Sequence, residues 1–292
     1  MTTRPGRRSI SGSAFTVMRC RGCHRLSRQL PSWRWAYGCR MVEHGMNEED
    51  DEMTRPVCAI VGAGEGLGRA LAARFATEGC DLALVSRTHD GSQAAIDAAS
   101  ENGATVTFRA GDAMKPESIE GALNDAAAEM GPIDVLIYNV RDSFPRCAPL
   151  DIDYGALEVI LHLEVIGALA AAKAVMPGMC RRGHGTVIFS GATAALRGSA
   201  THPLYAIGKF GLRALSQSLA KAHAPDGVHV VNIRLDCDLD TSLMRELYGD
   251  NDTSGLANPD AVAGGYWAAH CQPKGAWSNE IELRPFTESW SI

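Results

Sequence analysis

The sequence predicts an α/β protein with a single doubly wound parallel sheet of about seven strands, flanked by helices. From residue 56 onward, short apolar runs alternate with longer Ala- and Leu-rich stretches of helical period. This alternation is typical of βαβ units, in which a crossover helix returns the chain to the same edge of the sheet. The first apolar run also leads through a glycine-rich turn into a helix, as expected where a strand of such a sheet ends.

Each predicted strand is a short run rich in Val, Ile, Leu or Phe, and each predicted helix is a longer segment rich in Ala and Leu. In chain order, the predicted strands span 56–61, 81–86, 104–108, 134–138, 185–190, 228–234 and 280–284. The predicted helices span 67–78, 91–101, 117–130, 154–177 and 203–223. The helix at 154–177 is apolar nearly all round, so we expect it to be buried in the core or against a second subunit.

Residues 1–52 differ in composition from the rest of the chain. They are rich in Arg, Ser and Gly, show neither helical nor strand period, and end in an acidic run. We therefore predict a disordered basic extension at 1–52 and a folded domain at 53–292. An Arg-rich, acid-poor start is also typical of a mitochondrial transit peptide, and translation from Met53 is an equally physical alternative.

The segment Cys20-Arg21-Gly22-Cys23-His24 has the spacing of a covalent haem-attachment motif and of half a zinc site. Haem attachment of this kind requires an exported chain. Zinc requires four ligands, for which the extension offers only Cys39, His24 and His44 in addition. We therefore interpret this spacing as coincidence and predict no metal site.

Charge and composition exclude several functional classes. The formal net charge is -6, although nine arginines and one acidic residue lie within residues 1–45, so the remaining chain is strongly acidic. An acidic body lacks the clustered Lys and Arg that bind phosphate backbones, which argues against a nucleic-acid partner. Nine cysteines, without a repeated spacing, indicate reduced thiols and a cytoplasmic location. No uninterrupted apolar run reaches the roughly 18 residues of a membrane span, so we predict no membrane association.

A glycine-rich loop follows the first predicted strand. Its residues are Gly62-Ala63-Gly64-Glu65-Gly66-Leu67-Gly68, and a helical pattern begins within it. Glycine permits unusual backbone dihedrals, close approach of a pyrophosphate, and tight packing of the helix on the strand. The helix N-terminus offers N–H groups and positive dipole to the phosphates. This order predicts a Rossmann-type dinucleotide site contacted by Gly62, Gly64, Gly66, Leu67 and Gly68.

The segment Tyr205-Ala206-Ile207-Gly208-Lys209 opens another predicted helix. Side chains four residues apart on a helix share a face, and a nearby ammonium favours the phenolate form of a tyrosine. Tyr205 is therefore a candidate general acid for reduction of a carbonyl group, and a candidate general base in the reverse direction. Lys209 would set the proton affinity of Tyr205.

The glycine spacing and the Tyr205-x-x-x-Lys209 motif together resemble the short-chain dehydrogenase/reductase family, from residue 55 to the C-terminus. The resemblance implies an NAD(P)-dependent oxidoreductase that moves a hydride between a nicotinamide ring and a carbonyl or alcohol. It also implies that Tyr205 and Lys209 contact the cofactor, Lys209 through the nicotinamide ribose. We expect such a protein to form a homodimer or homotetramer.

The serine that polarises the substrate oxygen in this family normally lies 13 residues before the tyrosine, where this chain has Ala192. The nearest hydroxyl groups belong to Ser190 and Thr193. Side chains two residues apart on a strand point to the same face, which makes Ser190 the first candidate substitute and Thr193 the second. A structural serine at the end of a strand is an equally good interpretation of Ser190.

Other positions also depart from the family pattern. Glu164 stands where the family has an asparagine that kinks the central helix and seats a proton-relaying water. A carboxylate would seat the same water and hold Lys209 protonated, although a subunit-interface or solvent role is an alternative. Tyr138-Asn139-Val140-Arg141 replaces the usual Asn-Asn-Ala-Gly, and Asp236-Cys237 replaces Pro-Gly. The chain is thus predicted to be a divergent member.

The resemblance also places the cofactor. Ser86 and Arg87 end the second strand, where an acid would favour NAD and an arginine favours the 2'-phosphate of NADP. NADP is therefore preferred, but Glu65 would repel that phosphate, so NAD stays the alternative, with Arg87 as an ordinary surface residue.

Further cofactor contacts are implied after the third, fourth and sixth strands. The adenine would lie near Asp112 and Ala113, the nicotinamide side near Asn139, and the carboxamide near Thr241. A turn-forming aspartate is the alternative interpretation of Asp112.

Two functions follow from these patterns. The leading hypothesis is an oxidoreductase in which Tyr205 donates the proton, Lys209 sets the proton affinity of Tyr205, and Ser190 polarises the substrate oxygen. The alternative is a cofactor-binding scaffold or sensor with little turnover, although such a protein has no need of both Tyr205 and Lys209. An apolar small-molecule substrate is suggested by large residues that would roof the pocket: Met244, Leu247, Tyr248, Tyr266 and Trp267.

Overall fold

The computed structural model describes residues 54–141, 145–249 and 251–288. Within them, seven strands form one fully parallel sheet in the order β3-β2-β1-β4-β5-β6-β7. This confirms the predicted doubly wound α/β fold. The strands are β1 (Val57–Val61), β2 (Asp81–Ser86), β3 (Val106–Ala110), β4 (Ile133–Tyr138), β5 (Gly185–Ala192), β6 (Val228–Leu235) and β7 (Glu280–Leu283).

Helices follow the strands and cover both faces of the sheet. They are α1 (Leu67–Thr77), α2 (His89–Glu101), α3 (Pro116–Met130), α4 (Tyr154–Leu161), α5 (Gly167–Arg182), α6 (Pro203–His223), α7 (Ser242–Tyr248) and α8 (Pro259–His270). The last two were not predicted, although each begins at a side-chain cap, Thr241 for α7 and Asn258 for α8. The predictions for residues 1–52 lie outside the described residues.

Strand β3 begins two residues later than predicted. The backbone N–H of Thr105 donates to the Asp81 side chain at 2.8 Å instead of to a strand, and regular pairing with β2 begins at Val106. A side-chain acceptor near a strand end thus shortens the ladder, which periodicity alone does not reveal.

The order of the strands places the functional edge of the sheet. β1 lies at the centre and pairs with β2 on one side and β4 on the other, so the chain reverses its winding direction there. Ligands of open parallel sheets bind at the carboxyl ends of the strands at such a switch point. Two buried apolar clusters, one on each face of the sheet, hold this edge in place.

The predicted helix at 154–177 is one continuous helical stretch that extends to Arg182 and contains a π-helical turn, His162–Ile166, between α4 and α5. By length and composition alone, Tyr154–Arg182 is long and apolar enough to cross a membrane. Just over half of its most apolar part is buried within the protein, and central helices of α/β cores share this composition. The stretch is therefore weak evidence for a membrane segment.

Candidate active site

The glycine loop turns sharply between β1 and α1. Gly62 has φ +91°, and a Cβ there would lie 2.5 Å from the Asn139 carbonyl oxygen. A Cβ at Gly68 would lie 2.8 Å from the Ala63 Cα, so α1 packs directly on the loop. A Cβ at Gly64, by contrast, would meet no protein atom within 4 Å, because this residue faces an open cleft. The loop combines the tight turn, close packing and open approach that a pyrophosphate requires.

The loop ends at the N-terminus of α1, with Gly66 as the N-cap and Leu67 as the first helical residue. The first N–H groups of a helix have no intrahelical acceptor, and no side chain caps this one. The N-terminus is thus available to an anion. Thr241 lies beside it: its Cγ2 is 3.0 Å from the Cβ position of Gly66, while its hydroxyl accepts the Met244 N–H at 3.3 Å.

A chain of side-chain hydrogen bonds links α8 to the glycine loop. The Tyr266 hydroxyl donates to Ser190 Oγ at 2.8 Å, and Ser190 Oγ donates to Asn139 Oδ1 at 2.9 Å. Asn139 Nδ2 then donates to the Gly62 carbonyl oxygen at 3.1 Å. Because a serine hydroxyl has one proton, Ser190 uses it within the protein in this arrangement. The residue also lines the cleft.

Lys209 and Glu164 form a buried ion pair. Lys209 Nζ lies 2.8 Å from Glu164 Oε2, and the two side chains are 4% and 1% exposed. The ammonium also donates to the Ser190 carbonyl oxygen at 2.9 Å and lies 5.8 Å from the centre of the Tyr205 ring. Burial raises the pKa of the Glu164 carboxyl, while Lys209 and then Arg141 oppose that rise. Lys209 opposes the rise both through its charge and through a side-chain hydrogen bond to the carboxylate.

Glu164 reaches Lys209 from the π-helical turn. In this turn the Gly167 N–H bonds to the His162 carbonyl, five residues back, which leaves the Leu163 carbonyl without its usual helical donor. The Tyr138 hydroxyl donates to that carbonyl at 2.5 Å. A Cβ at Gly167 would lie 2.5 Å from the same hydroxyl oxygen, so glycine is required there. The family resemblance implies a helix kink at the position of Glu164. In this chain the helix contains a π turn there instead, and the Tyr138 hydroxyl binds the carbonyl that this turn leaves without a helical donor.

The second candidate hydroxyl, that of Thr193, is held by the segment after β6. Thr193 Oγ1 donates to Asp236 Oδ1, and Arg284 Nη2 lies 2.6 Å from Asp236 Oδ2. Asp236 is 8% exposed, so this charge is paired within the protein. In the described arrangement the proton of Thr193 goes to a carboxylate and that of Ser190 to an amide.

Ser86 and Arg87 lie at the end of β2, and they differ in whether protein groups already bind their side chains. Ser86 Oγ donates to the Thr88 carbonyl oxygen at 2.9 Å and lies 2.6 Å from Ser92 Oγ. Arg87 is exposed and lines the cleft. Among the described residues it has no hydrogen bond or ion pair, and its guanidinium is available to a ligand.

Asp112 forms a turn after β3. Its Oδ1 accepts the Met114 N–H at 3.0 Å, and its Oδ2 lies 3.8 Å from Lys115 Nζ. Asp112 and the neighbouring Ala113 both line the cleft. Asp112 therefore does form a turn, and its carboxylate still lies at the end of the cleft where the adenine is predicted to bind.

The structure brings nearly all of the predicted site residues to one cleft of about 810 Å³. Glu164 is the exception, since it lies behind Lys209 in the core. An open helix N-terminus, a glycine turn and basic side chains in one cleft fit a dinucleotide. The predicted residues that line it are Gly62, Gly64, Gly66, Leu67, Gly68, Ser86, Arg87, Asp112, Ala113, Asn139, Ser190, Tyr205, Lys209 and Thr241.

The residues predicted to roof the substrate pocket fall into two groups. Tyr266 is fully buried and Trp267 packs on Phe75, with ring centres 5.2 Å apart, so both belong to the core. Leu247 in α7 is 69% exposed, and its neighbour Leu243 lines the cleft. None of the five predicted roof residues, Met244, Leu247, Tyr248, Tyr266 and Trp267, lines the cleft, and Leu243 is the residue that α7 contributes to it.

The residues that support the site, Tyr138, Tyr266 and Arg284, are not marked as supports by any pattern in the sequence. Tyr266 lies 76 residues from Ser190, and Tyr138 lies 25 residues from Leu163. No local spacing signals such partners. The only sequence signal for Tyr138 is its place at the end of a predicted strand, immediately before Asn139.

Comparison with known proteins gives a consistent result. The profile described as short chain dehydrogenase matches residues 56–251. The 3-oxoacyl-(acyl-carrier-protein) reductase FabG of Escherichia coli (strain K12) is 29% identical over 208 residues, which cover 70% of this chain and 82% of that protein. The short-chain reductase protein NovJ of Streptomyces niveus is 30% identical over 181 residues, covering 60% and 66% respectively.

Solved structures agree at the level of the fold. A short-chain dehydrogenase from Rhodopseudomonas palustris superposes with a TM-score of 0.68 at 28% identity, covering 79% of this chain and 99% of its own. An alcohol dehydrogenase from Thermococcus sibiricus, complexed with 5-hydroxy-NADP, superposes with a TM-score of 0.71 at 23% identity, covering 81% and 99%. This chain therefore belongs to the short-chain dehydrogenase/reductase family and is an NAD(P)-dependent oxidoreductase.

Proposed function

We propose that the protein is an NADPH-dependent reductase of carbonyl compounds that also oxidises the matching alcohols. The observation that carries this proposal is the buried ion pair of Lys209 with Glu164, in which Lys209 lies beside Tyr205 at the wall of the glycine-loop cleft and Glu164 lies behind it. Holding two charges away from water costs several kcal/mol per ion before their attraction is counted. A charge held beside Tyr205 at this cost is expected where proton transfer at Tyr205 uses it.

The roles of the side chains follow from their positions. The nicotinamide ring, when bound, supplies or accepts the hydride. Tyr205 donates its phenolic proton to the substrate oxygen during reduction and takes a proton back during alcohol oxidation. The Lys209 ammonium, 5.8 Å from the Tyr205 ring centre, stabilises the phenolate left after proton transfer. Glu164 and the Ser190 carbonyl hold that ammonium in place.

NADP is the preferred cofactor because of Arg87. Its exposed guanidinium lines the cleft and has no ion pair within the described part of the chain, and no acidic residue stands at the end of β2. An arginine in this position forms charge-assisted hydrogen bonds with a phosphate. Glu65 also lines the cleft and opposes the 2'-phosphate, so the preference over NAD is the balance of these two side chains.

Ser190 is the first candidate for polarising the substrate oxygen, and Thr193 is the second. To donate to the substrate oxygen, either hydroxyl must first break the hydrogen bond that it makes within the protein. The present acceptor is Asn139 for Ser190 and Asp236 for Thr193. Hydrogen bonds to a carboxylate are roughly twice as strong as those to a neutral amide. The exchange therefore costs less at Ser190.

The substrate we propose is an apolar carbonyl compound. Leu239 and Leu243 line the cleft near Cys237. Burial, with nearby Asp238, raises the pKa of Cys237 to about 11, so its thiol is uncharged at neutral pH.

We further propose a cytoplasmic homodimer or homotetramer. Support comes from apolar side chains on α4, α5 and α6 that are each about two-fifths exposed: Val159, Leu169, Ile207 and Phe210. The six cysteines among the described residues are free thiols, as expected for a reducing compartment. Light scattering coupled to gel filtration tests the oligomeric state.

The experiment that tests the function combines binding and turnover. NADPH and NADH are titrated by nucleotide fluorescence, and a panel of apolar aldehydes and ketones is then screened by following NADPH absorbance. We expect Tyr205→Phe to bind NADPH normally and to lose turnover by at least about a hundredfold. The matched control is Tyr154→Phe, because that tyrosine is 84% exposed and outside the cleft.

Two outcomes would contradict the proposal. If Tyr205→Phe and wild type have equal turnover, Tyr205 is not the proton donor. If NADPH binds but wild type reduces no carbonyl faster than Tyr205→Phe does, the chain is the cofactor-binding scaffold that the sequence also allows.

A further inference from the structure

We propose that Cys180, His223 and Asp226 form a Zn²⁺ site on the edge of the sheet opposite the cofactor cleft. Cys180 lies in the last turn of α5, which leads into β5, and His223 is the last residue of α6, which leads through Asp226 into β6. These residues therefore lie at the amino ends of the strands. The cofactor cleft lies at the carboxyl ends.

The donor atoms already have nearly the spacing of a metal site. One ligand atom from each residue lies within 4.8 Å of the other two. Cys180 Sγ is 3.5 Å from His223 Nδ1, and His223 Nδ1 is 2.9 Å from Asp226 Oδ2. Tetrahedral zinc, with bonds of about 2.3 Å to sulfur and about 2.1 Å to nitrogen, separates these two donors by about 3.6 Å. The 3.5 Å between Cys180 Sγ and His223 Nδ1 matches that separation, and the Asp226 oxygen, 2.9 Å from His223 Nδ1, must move away from the imidazole to admit the ion.

The backbone around the donors is tightly constrained. Gly183 ends α5 with φ +71°, and the Lys274 ammonium donates to its carbonyl oxygen at 2.8 Å. Gly227 has φ +81°, and a Cβ there would overlap the same Gly183 carbonyl. The Asp226 N–H donates to the His223 carbonyl at 3.1 Å, so the turn that carries the carboxylate is closed. The two helix ends therefore hold the donors together without a bound ion.

The chemistry of the donors selects the metal. A thiolate, an imidazole and a carboxylate suit Zn²⁺, whereas Mg²⁺ and Ca²⁺ prefer oxygen ligands only. The thiolate and the carboxylate together balance the charge of a divalent ion. Cys180 and His223 are half-buried and Asp226 is exposed, which leaves the fourth coordination position to water. Because Cys180 and His223 are 43 residues apart in the chain, no local motif marks the site.

The test measures Zn²⁺ binding to the full-length, tag-free chain carrying Cys20→Ser and Cys23→Ser, which removes the thiol pair of the N-terminal extension. Calorimetric titration against a competing chelator should give one Zn²⁺ per chain. Cys180→Ser and His223→Gln, added separately, should each raise the dissociation constant more than about tenfold. Cys147→Ser is the matched control, because this thiol is also half-buried and lies outside the cluster.

Titration with Cd²⁺ identifies the sulfur directly, since cadmium bound to a thiolate absorbs in the ultraviolet. We expect this absorption with Cys147→Ser and its loss with Cys180→Ser. Equal thermal melting of the metal-free variants would show that the substitutions leave the fold intact. The proposal is overturned if the chain binds no stoichiometric Zn²⁺, or if both Cys180→Ser and His223→Gln bind it as tightly as the control.

Discussion

The Tyr138 hydroxyl donates a 2.5 Å hydrogen bond to the Leu163 carbonyl, the one that the π-helical turn deprives of its helical donor. Tyr138 is 1% exposed and ends β4, whereas Leu163 lies in the turn that brings Glu164 to Lys209. A side chain of the sheet therefore stabilises the helix distortion that places Glu164 against Lys209, the lysine of the proposed catalytic pair. This relationship connects the end of β4, directly before Asn139, with the residues proposed for proton transfer.

Replacing Tyr138 with Phe should destabilise the protein by about 1–3 kcal/mol, because it leaves a buried carbonyl without a donor. The free energy of unfolding in urea measures this effect. Tyr248→Phe is the control, since that hydroxyl makes a solvent-exposed hydrogen bond to Asp238 and should cost less than about 0.5 kcal/mol. Equal losses in the two variants would mean that the Tyr138 hydroxyl does not support the π turn.

Glu164→Gln should change how stability depends on pH. Burial raises the pKa of Glu164 in the folded protein, with Lys209 opposing, so the folded state binds a proton more tightly than the unfolded state. The free energy of unfolding must therefore fall as pH rises from the ordinary glutamate value through the raised one. Urea unfolding at intervals from about pH 4 to pH 8 should show this slope in wild type and a smaller slope in the variant. Parallel pH profiles would contradict the prediction.

Ser190→Ala and Thr193→Val should separate the two candidate hydroxyls. If Ser190 polarises the substrate oxygen, its loss should lower kcat about a hundredfold while NADPH affinity is retained. Thr193→Val should leave kcat within about threefold of wild type, because Thr193 donates to Asp236. A different result for Ser190→Ala, weaker NADPH binding with kcat unchanged, would assign Ser190 the purely structural role of holding Asn139.

Arg87→Ala should weaken NADPH binding by about 10–100-fold and leave NADH binding nearly unchanged. The reason is the loss of charge-assisted hydrogen bonds to the 2'-phosphate, worth about 1.5–3 kcal/mol. Glu65→Gln should act in the opposite direction and tighten NADPH binding, since it removes a negative charge from the cleft. Fluorescence titration of both nucleotides measures the ratio. If Arg87→Ala weakens NADPH and NADH equally, Arg87 does not select the cofactor.

Gly62→Ala should abolish cofactor binding or folding, whereas Gly79→Ala should cost only about 1–2 kcal/mol of stability. Both glycines have positive φ, +91° and +98° respectively, so the cost of the backbone conformation is shared. Only at Gly62 would the added Cβ also meet a backbone atom, the Asn139 carbonyl oxygen at 2.5 Å. Thermal melting and NADPH titration of the two variants isolate this clash. Similar behaviour of both would contradict the close approach of the loop to Asn139.

Local patterns in the sequence were sufficient for most of the fold. Strand alternation with helices predicted all seven strands of the sheet, because each βαβ unit carries its own periodicity. Helices α7 and α8 were missed, since α7 has only seven residues and α8 contains two adjacent glycines, which weaken a helical pattern. The π turn was also invisible, because an inserted residue leaves the composition of an apolar helix unchanged.

The sequence by itself determined the class of protein: the glycine loop and the Tyr205–Lys209 motif are local, and their chemistry depends on spacing within one turn or one helix face. Only the tertiary structure decided which acceptors hold the protons of Ser190 and Thr193, and that Glu164 meets Lys209 in the core. It also brought together Cys180 in the last turn of α5, His223 at the end of α6 and Asp226 in the turn that follows. These contacts join residues that lie tens of positions apart in the chain. Their distances are set by the packing of the helices on the sheet, so they cannot be read from the spacing of residues in the sequence.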